Sequence, residues 1–89
     1  EPYFFRTSDG HELDLLLDLG PERWAFEIKL TAQPAPEDLA RLNQAADLAR
    51  ATRRILLSRT SHPSFAGPLA SCSLTDWLQH LGPRKNHIR

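Results

Sequence analysis

The chain has 89 residues and no net charge, because eleven basic residues balance eleven acidic ones. This length allows one small domain with a modest core, and a hydrophobic content of 40% is typical of a soluble globular protein. No membrane span and no signal peptide is visible, and a single cysteine, Cys72, excludes an internal disulfide. We expect a cytoplasmic protein, and the start at Glu1-Pro2 without methionine indicates a fragment of a longer one.

Three strands are predicted in the first third of the chain. Residues 2–7 are rich in aromatic side chains and precede Asp9-Gly10, a pair that favours tight hairpin turns. Residues 10–18 and 24–30 alternate between apolar and polar side chains, and Gly20-Pro21 between them is a strong turn signal. We therefore predict an antiparallel meander.

A helix is predicted to begin at Pro36 and to run to about residue 51. Proline suits the first helical position, and Glu37 and Asp38 complement the helix dipole. Apolar residues recur at helical spacing and should pack on the sheet: Leu39, Leu42, Ala45, Ala46 and Ala49. Because this helix lies between two strands, the strand that follows should run parallel to the strand at 24–30.

The rest of the chain should add a sheet edge and a short helix. Residues 53–58 have an apolar centre and predict the parallel strand, residues 61–64 a loop, and residues 69–74 a short last strand. Thr75 or Ser73 can cap a helix at 76–81, which Gly82-Pro83 ends. Its residues Trp77, Leu78 and Leu81 should cover the sheet. We assign residues 1–82 to one domain and 83–89 to a disordered basic tail.

Strand alternation brings three charged side chains to one face of the hairpin. In paired strands, Asp14, Glu27 and Lys29 point to the same side, away from Phe26 and Ile28. Two carboxylates on rigid strands suit magnesium, and a nearby ammonium can orient a water or neutralise charge in a transition state. The alternative is a solvated sheet face with a cross-strand ion pair that contributes little to stability.

The charges are unevenly distributed along the chain. Ten of the eleven acidic residues lie at or before Asp47, whereas seven basic residues lie from Arg50 onward. An acidic site beside a basic rim suits metal-dependent cleavage of nucleic acid, with Arg53 and Arg54 as candidate nucleic-acid contacts. Ordinary surface charge is the alternative explanation.

Two motifs resemble known families. Asp14 followed by Glu27-Ile28-Lys29 resembles the D…ExK signature of the PD-(D/E)XK nuclease superfamily. The longer pattern, Phe-Arg-Thr-Ser-Asp-Gly-His-Glu-Leu-Asp at 5–14 with Phe-Glu-Ile-Lys-Leu at 26–30, resembles an uncharacterised domain. That domain is found C-terminal to the P-loop module of many prokaryotic AAA-type ATPases. The superfamily often places a further acidic residue on a helix before the first strand, and this chain starts too late to show it.

The resemblance implies an α/β fold, with a mixed sheet of four to five strands and a restriction-endonuclease-like core without its leading helix. It implies magnesium bound by Asp14, Glu27 and the carbonyl of Ile28, with Lys29 as catalytic lysine. ATP would bind only to an ATPase module upstream in the same chain, and nucleic acid would be the partner, with no membrane. The alternative is a catalytically inactive nuclease-fold module for protein or nucleic-acid interaction. We expect the isolated fragment to be inactive as an enzyme.

Overall fold

The computed structural model describes residues 14–82, which form a five-stranded mixed sheet between two helices. The strands are β1 (Leu15–Asp18), β2 (Arg23–Ile28), β3 (Arg53–Leu57), β4 (Ser64–Ala66) and β5 (Leu69–Cys72), and the helices are α1 (Pro36–Leu48) and α2 (Leu74–Leu81). The strands lie in the order β1-β2-β3-β5-β4. The predicted strand at 2–7, the turn after it and the tail at 83–89 lie outside the described residues. Within residues 14–82, neither helix has the length and hydropathy needed to cross a bilayer.

The predicted hairpin and crossover are both present. Strands β1 and β2 pair antiparallel, with Leu15 opposite Phe26, and the turn between them places Gly20 at a φ of 90°. Glycine adopts this left-handed conformation without the steric cost of a side chain. Helix α1 then carries the chain back, so that β3 pairs parallel with β2. This confirms a mixed α/β sheet.

One sheet face is covered by α1. Leu42, Ala45 and Ala46 on the helix have no exposed surface, and they pack with Ala25 of β2 and Leu56 of β3. The alanine side chains are short and let the helix backbone approach the sheet closely. Burial of apolar surface on this face is the main force that holds α1 in place.

Helix α1 ends within one turn of the end that the sequence predicted. Its last helical residue is Leu48, and Arg50 has a left-handed φ of 58°. The amide of Ala51 donates to the carbonyl oxygen of Ala46 at 2.9 Å, and that of Arg50 donates to Asp47 at 3.1 Å. This pair of hydrogen bonds satisfies the last carbonyls and stops the helix.

The opposite sheet face is covered by α2. The buried Trp77 packs on Phe26, with ring centroids 6.1 Å apart and ring planes at 82°. Ser73 caps the helix, because its hydroxyl accepts a hydrogen bond from the amide of Asp76 at 3.1 Å. The prediction that Leu78 covers the sheet is wrong: it is 52% exposed. The buried side of the helix follows the spacing from Trp77 to Leu81, which turns Leu78 away from the sheet.

The sheet has an edge hairpin that the sequence prediction missed. Strand β4 pairs antiparallel with β5, with Phe65 opposite Ala70, so the predicted loop at 61–64 leads directly into a strand. Strand β4 has three residues, Ser-Phe-Ala, and all three are exposed. A segment this short cannot show the apolar alternation by which a strand is predicted. Strand β5 ends at Cys72, two residues before the predicted end, because Ser73 already caps α2.

Candidate functional site

Asp14, Glu27 and Lys29 lie on the sheet face that α1 covers. Ala25 belongs to the core beneath α1, and Glu27 and Lys29 follow it at intervals of two residues. Asp14 stands two residues before Leu16, which points into the same core. Because side chains two residues apart in an extended strand share a face, the three charged groups meet at the end of the hairpin remote from its turn.

Asp14 is tied directly to the backbone of β2. Its Oδ2 atom accepts a hydrogen bond from the amide of Ile28 at 2.7 Å, while its own amide donates to the carbonyl of Phe26 at 3.0 Å. The amide of Lys29 donates to Leu57 of β3 instead. The backbone amides of Ile28 and Lys29 therefore point to opposite neighbours, and Ile28 faces Asp14.

Glu27 is the group with an unmet bonding requirement. Its Oε1 atom is buried and has no hydrogen-bond partner among residues 14–82. Burial raises the pKa of the Glu27 carboxyl, and this effect outweighs the opposing attraction of Arg41 and Lys29. Asp14 and Asp38 raise the pKa further because their negative charges repel the carboxylate. Binding of a proton or a cation would neutralise this charge and so remove the cost of burial and repulsion.

Asp38 joins the site from the first turn of α1, and sequence reasoning missed this role. Its side chain is 9% exposed. The Oδ2 atom accepts a hydrogen bond from the amide of Ala35 at 2.9 Å, and Oδ1 lies 3.6 Å from Nζ of Lys29. The hydrogen bond from Ala35, together with the charges of Lys29 and Arg41, lowers the pKa of the Asp38 carboxyl against the cost of burial.

Arg41 is the second group at the site that the sequence analysis missed. Its Nη2 atom donates to Oδ1 of Asp38, the same oxygen that faces Lys29. The spacing of three residues between Asp38 and Arg41 puts both on one side of a helix, and this signal was available in the sequence. What was missing was the position of that side relative to Glu27.

The two predicted nucleic-acid contacts lie elsewhere. Arg53 and Arg54 stand at the start of β3, opposite Trp24 and Ala25, whereas Glu27 stands opposite Leu56 further along. As neighbours in one strand, the two arginines point to opposite faces of the sheet. The structure does not bring them together with each other or with Glu27.

Both arginines have partners within the chain. The Arg53 guanidinium lies 5.1 Å from the ring centroid of Trp24 and 3.9 Å from a carboxylate oxygen of Glu22. Arg54 donates to Asp47 at 2.7 Å and to Asn43 at 3.1 Å. These contacts give the two side chains a structural role at the end of the sheet away from the carboxylates.

A groove of about 200 Å³ lies beside Lys29, at the ends of β2 and β3. Its lining is mainly apolar and consists of Ile28, Lys29, Leu30, Leu57, Ser58, Arg59 and Leu74. Neither Asp14 nor Glu27 lines it, so the groove is separate from the carboxylate pair.

The residues at the site fit a divalent cation held by few protein ligands. Across residues 14–82, no group of three or more His, Cys, Asp or Glu residues is arranged to hold a metal ion. Asp14 and the buried, unpaired oxygen of Glu27 nevertheless offer the oxygen ligands that magnesium prefers. Magnesium commonly binds through one or two carboxylates and fills its remaining positions with water and phosphate oxygens.

Comparison with known proteins identifies the family. Neither the curated proteins nor the solved structures gave a match. A family model described as a domain of unknown function, DUF4143, matches residues 1–71, which include all five charged residues of the site. Because this match spans well over half of the 89 residues, the chain belongs to the DUF4143 family.

Proposed function

We propose that this chain is a PD-(D/E)XK nuclease-like domain of an AAA-type ATPase, which acts on nucleic acid with the help of magnesium. The observation that carries the proposal is the buried Oε1 atom of Glu27, for which the described part of the chain offers no hydrogen-bond partner. It lies on the same face as Asp14 and Lys29, the residues that the D…ExK pattern requires. A buried carboxylate oxygen without a hydrogen-bond donor, beside a second carboxylate, lowers the stability of the fold. The same arrangement is favourable for binding a cation.

The residues have distinct roles in this proposal. Asp14, Glu27 and the carbonyl of Ile28 would hold the cation. When bound, magnesium polarises a phosphoryl oxygen and lowers the pKa of a bound water. Lys29, whose ammonium lies 3.6 Å from Asp38, offsets negative charge that develops on the phosphate during cleavage. ATP belongs to a P-loop module upstream in the same chain, and the sequence that precedes Glu1 tests that part of the proposal.

Cleavage of labelled DNA and RNA by the protein that includes any upstream module is the direct test. We expect magnesium-dependent cleavage, and a loss of several orders of magnitude in Glu27→Gln and Lys29→Met, because both residues act on the transition state. Glu37→Gln is the matched control, since Glu37 is an exposed acid in the first turn of α1. Circular dichroism should show that all variants remain folded. Cleavage that survives Glu27→Gln would refute the proposal.

A second candidate function is a catalytically inactive module that binds nucleic acid or protein within the ATPase. The ion pair between Lys29 and Asp38 favours it, because that contact engages the proposed catalytic ammonium. The limited number of metal-binding side chains in residues 14–82 points the same way. In this case Glu27→Gln and Lys29→Met should leave partner binding unchanged, and no variant or parent protein should cleave either substrate.

A further inference from the structure

Two cations at the site share a single buried carboxylate oxygen. Lys29, which directly follows β2, and Arg41 of α1 both approach Oδ1 of Asp38. The Asp38 side chain is 9% exposed, whereas the side chains of Lys29 and Arg41 are 38% and 46% exposed. Asp38 therefore brings the two cationic side chains close together, and each of them remains partly exposed to solvent.

The Arg41 guanidinium has more N–H donors than its contact with Asp38 uses. An arginine side chain carries five N–H donors in a planar fork that matches the oxygens of a phosphate group. Within residues 14–82, the hydrogen bond to Asp38 is the one that the structure gives this side chain. An ammonium and a guanidinium that converge at a solvent-facing position make a suitable pair of donors for one phosphate.

The balance of charge around this pair depends on the carboxylates. Asp14, Glu27 and Asp38 together outnumber the two cations, so the site repels an anion when all three acids are ionised. A divalent cation bound to Asp14 and Glu27 reverses the sign of the local charge. Phosphate binding should therefore depend on the presence of that cation.

We propose that Lys29 and Arg41 form a phosphate-binding site for the backbone of a nucleic acid, adjacent to the carboxylate pair and dependent on a bound divalent cation. This inference rests on the proposed function, since it takes Asp14 and Glu27 as the cation ligands. It adds Arg41 as a residue that contacts the substrate, in place of Arg53 and Arg54 at the other end of the sheet.

Fluorescence anisotropy with the whole 89-residue chain and a fluorescein-labelled DNA oligonucleotide tests the site. Calcium replaces magnesium, because both prefer oxygen ligands and binding can then be measured without cleavage. Arg41→Gln should weaken binding about tenfold, the effect of losing a charge-assisted hydrogen bond. It should also reduce the slope of log K against log salt concentration by about 1. Arg41→Lys should recover part of the loss.

The matched control is Arg53→Gln, which removes an arginine of similar exposure from the other end of the sheet, since the Arg53 side chain is 40% exposed and that of Arg41 is 46% exposed. We expect it to change DNA affinity by less than about twofold, as does a surface charge without a phosphate contact. Unfolding curves should show that every variant is fully folded under the assay conditions, so that the changes in binding are not due to unfolding.

The outcomes separate this inference from the proposed function. Calcium-dependent DNA binding that Glu27→Gln abolishes but Arg41→Gln leaves intact would overturn the phosphate site and support the cation site. Absence of DNA binding in the parent chain with calcium would overturn both. DNA binding that is equally tight without calcium would overturn the proposed dependence. If inorganic phosphate shifts the Arg41 side-chain NMR signals as readily as DNA does, the site recognises free phosphate and the nucleic-acid assignment fails.

Discussion

Replacing Glu27 with glutamine should stabilise the folded domain at neutral pH. The substitution keeps the shape of the side chain and removes the negative charge of its carboxylate. The Oε1 atom of that carboxylate is buried and has no hydrogen-bond partner in the described part of the chain. The new amide group carries no charge, so it also removes the repulsion between residue 27 and the carboxylates of Asp14 and Asp38. A stabilising effect is unusual, because most substitutions in a folded domain lower stability.

The expected gain follows from the desolvation cost of the charged carboxylate, because glutamine keeps an acceptor oxygen at this position but carries no charge. That cost is about 1–3 kcal/mol, and the lower end applies because Glu27 as a whole is only partly buried and solvent screens its charge. A gain of about 1 kcal/mol should raise Tm by about 4–8 °C in a domain of this size.

The gain should depend on pH in a definite direction. The folded-state pKa of Glu27 is raised above its usual value of 4.5, so the folded protein takes up this proton more readily than the unfolded chain. Ionisation of Glu27 therefore costs stability as pH rises through the folded-state pKa. At pH 4.5 more than half of the folded molecules carry a proton on Glu27, and the advantage of glutamine should shrink.

Urea denaturation of parent and variant near pH 4.5 and at neutral pH measures both effects. Asp38→Asn is the contrasting variant, because the hydrogen bond from Ala35 lowers the pKa of Asp38. Its charge therefore stabilises the fold at any pH above 3.8, the usual pKa of an aspartate. It should destabilise the domain by about 2 kcal/mol at both pH values, since both lie above 3.8, and the deficit should shrink only at lower pH, as pH falls through the folded-state pKa. If Glu27→Gln is destabilising at neutral pH, or equally stabilising at both pH values, Glu27 is satisfied in solution and our reasoning is wrong.

Three further predictions concern the face covered by α2. Trp77→Ala should cost about 3–5 kcal/mol in urea denaturation, and Leu78→Ala, on the exposed side, less than about 0.5 kcal/mol; similar losses would contradict the observed orientation of α2. Ser73→Ala should cost about 1 kcal/mol because it removes the helix cap, and an unchanged midpoint would argue against that hydrogen bond. Cys72 is buried and burial raises its pKa, so a thiol reagent should label it only as fast as the domain opens; rapid labelling of the native protein would show that the core is accessible.

Local sequence signals predicted much of the secondary structure. The Gly20-Pro21 pair marked the turn of the β1–β2 hairpin, and Pro36 marked the start of α1. These signals act through the backbone conformations that glycine and proline favour, so they need no information from distant residues. The end of α1 was harder to predict, because Arg50 adopts a left-handed conformation that its residue type does not favour.

The edge hairpin shows where local signals fail. Strand β4 has three exposed residues, and it is held mainly by its pairing with β5. A strand of this kind is stabilised by backbone hydrogen bonds to a neighbour rather than by an apolar pattern of its own. The sequence therefore predicted the strand that follows β4 but not β4 itself.

The candidate site divides in the same way between local and distant effects. The sequence by itself determined that Asp14, Glu27 and Lys29 share one face of the hairpin, because side-chain direction alternates along any extended strand. Only the tertiary structure decided that α1 covers that face and brings Asp38 and Arg41 to it.

Tertiary packing also decided the ionisation of the site and the position of the remaining arginines. The raised pKa of Glu27 comes first from burial, and burial depends on how α1 lies across β2. Arg53 and Arg54 belong to the strand next to that of Glu27, yet strand register places them opposite Trp24 and Ala25, away from Glu27. Side-chain periodicity is a property of a few consecutive residues, whereas desolvation and charge pairing depend on segments that only folding brings together.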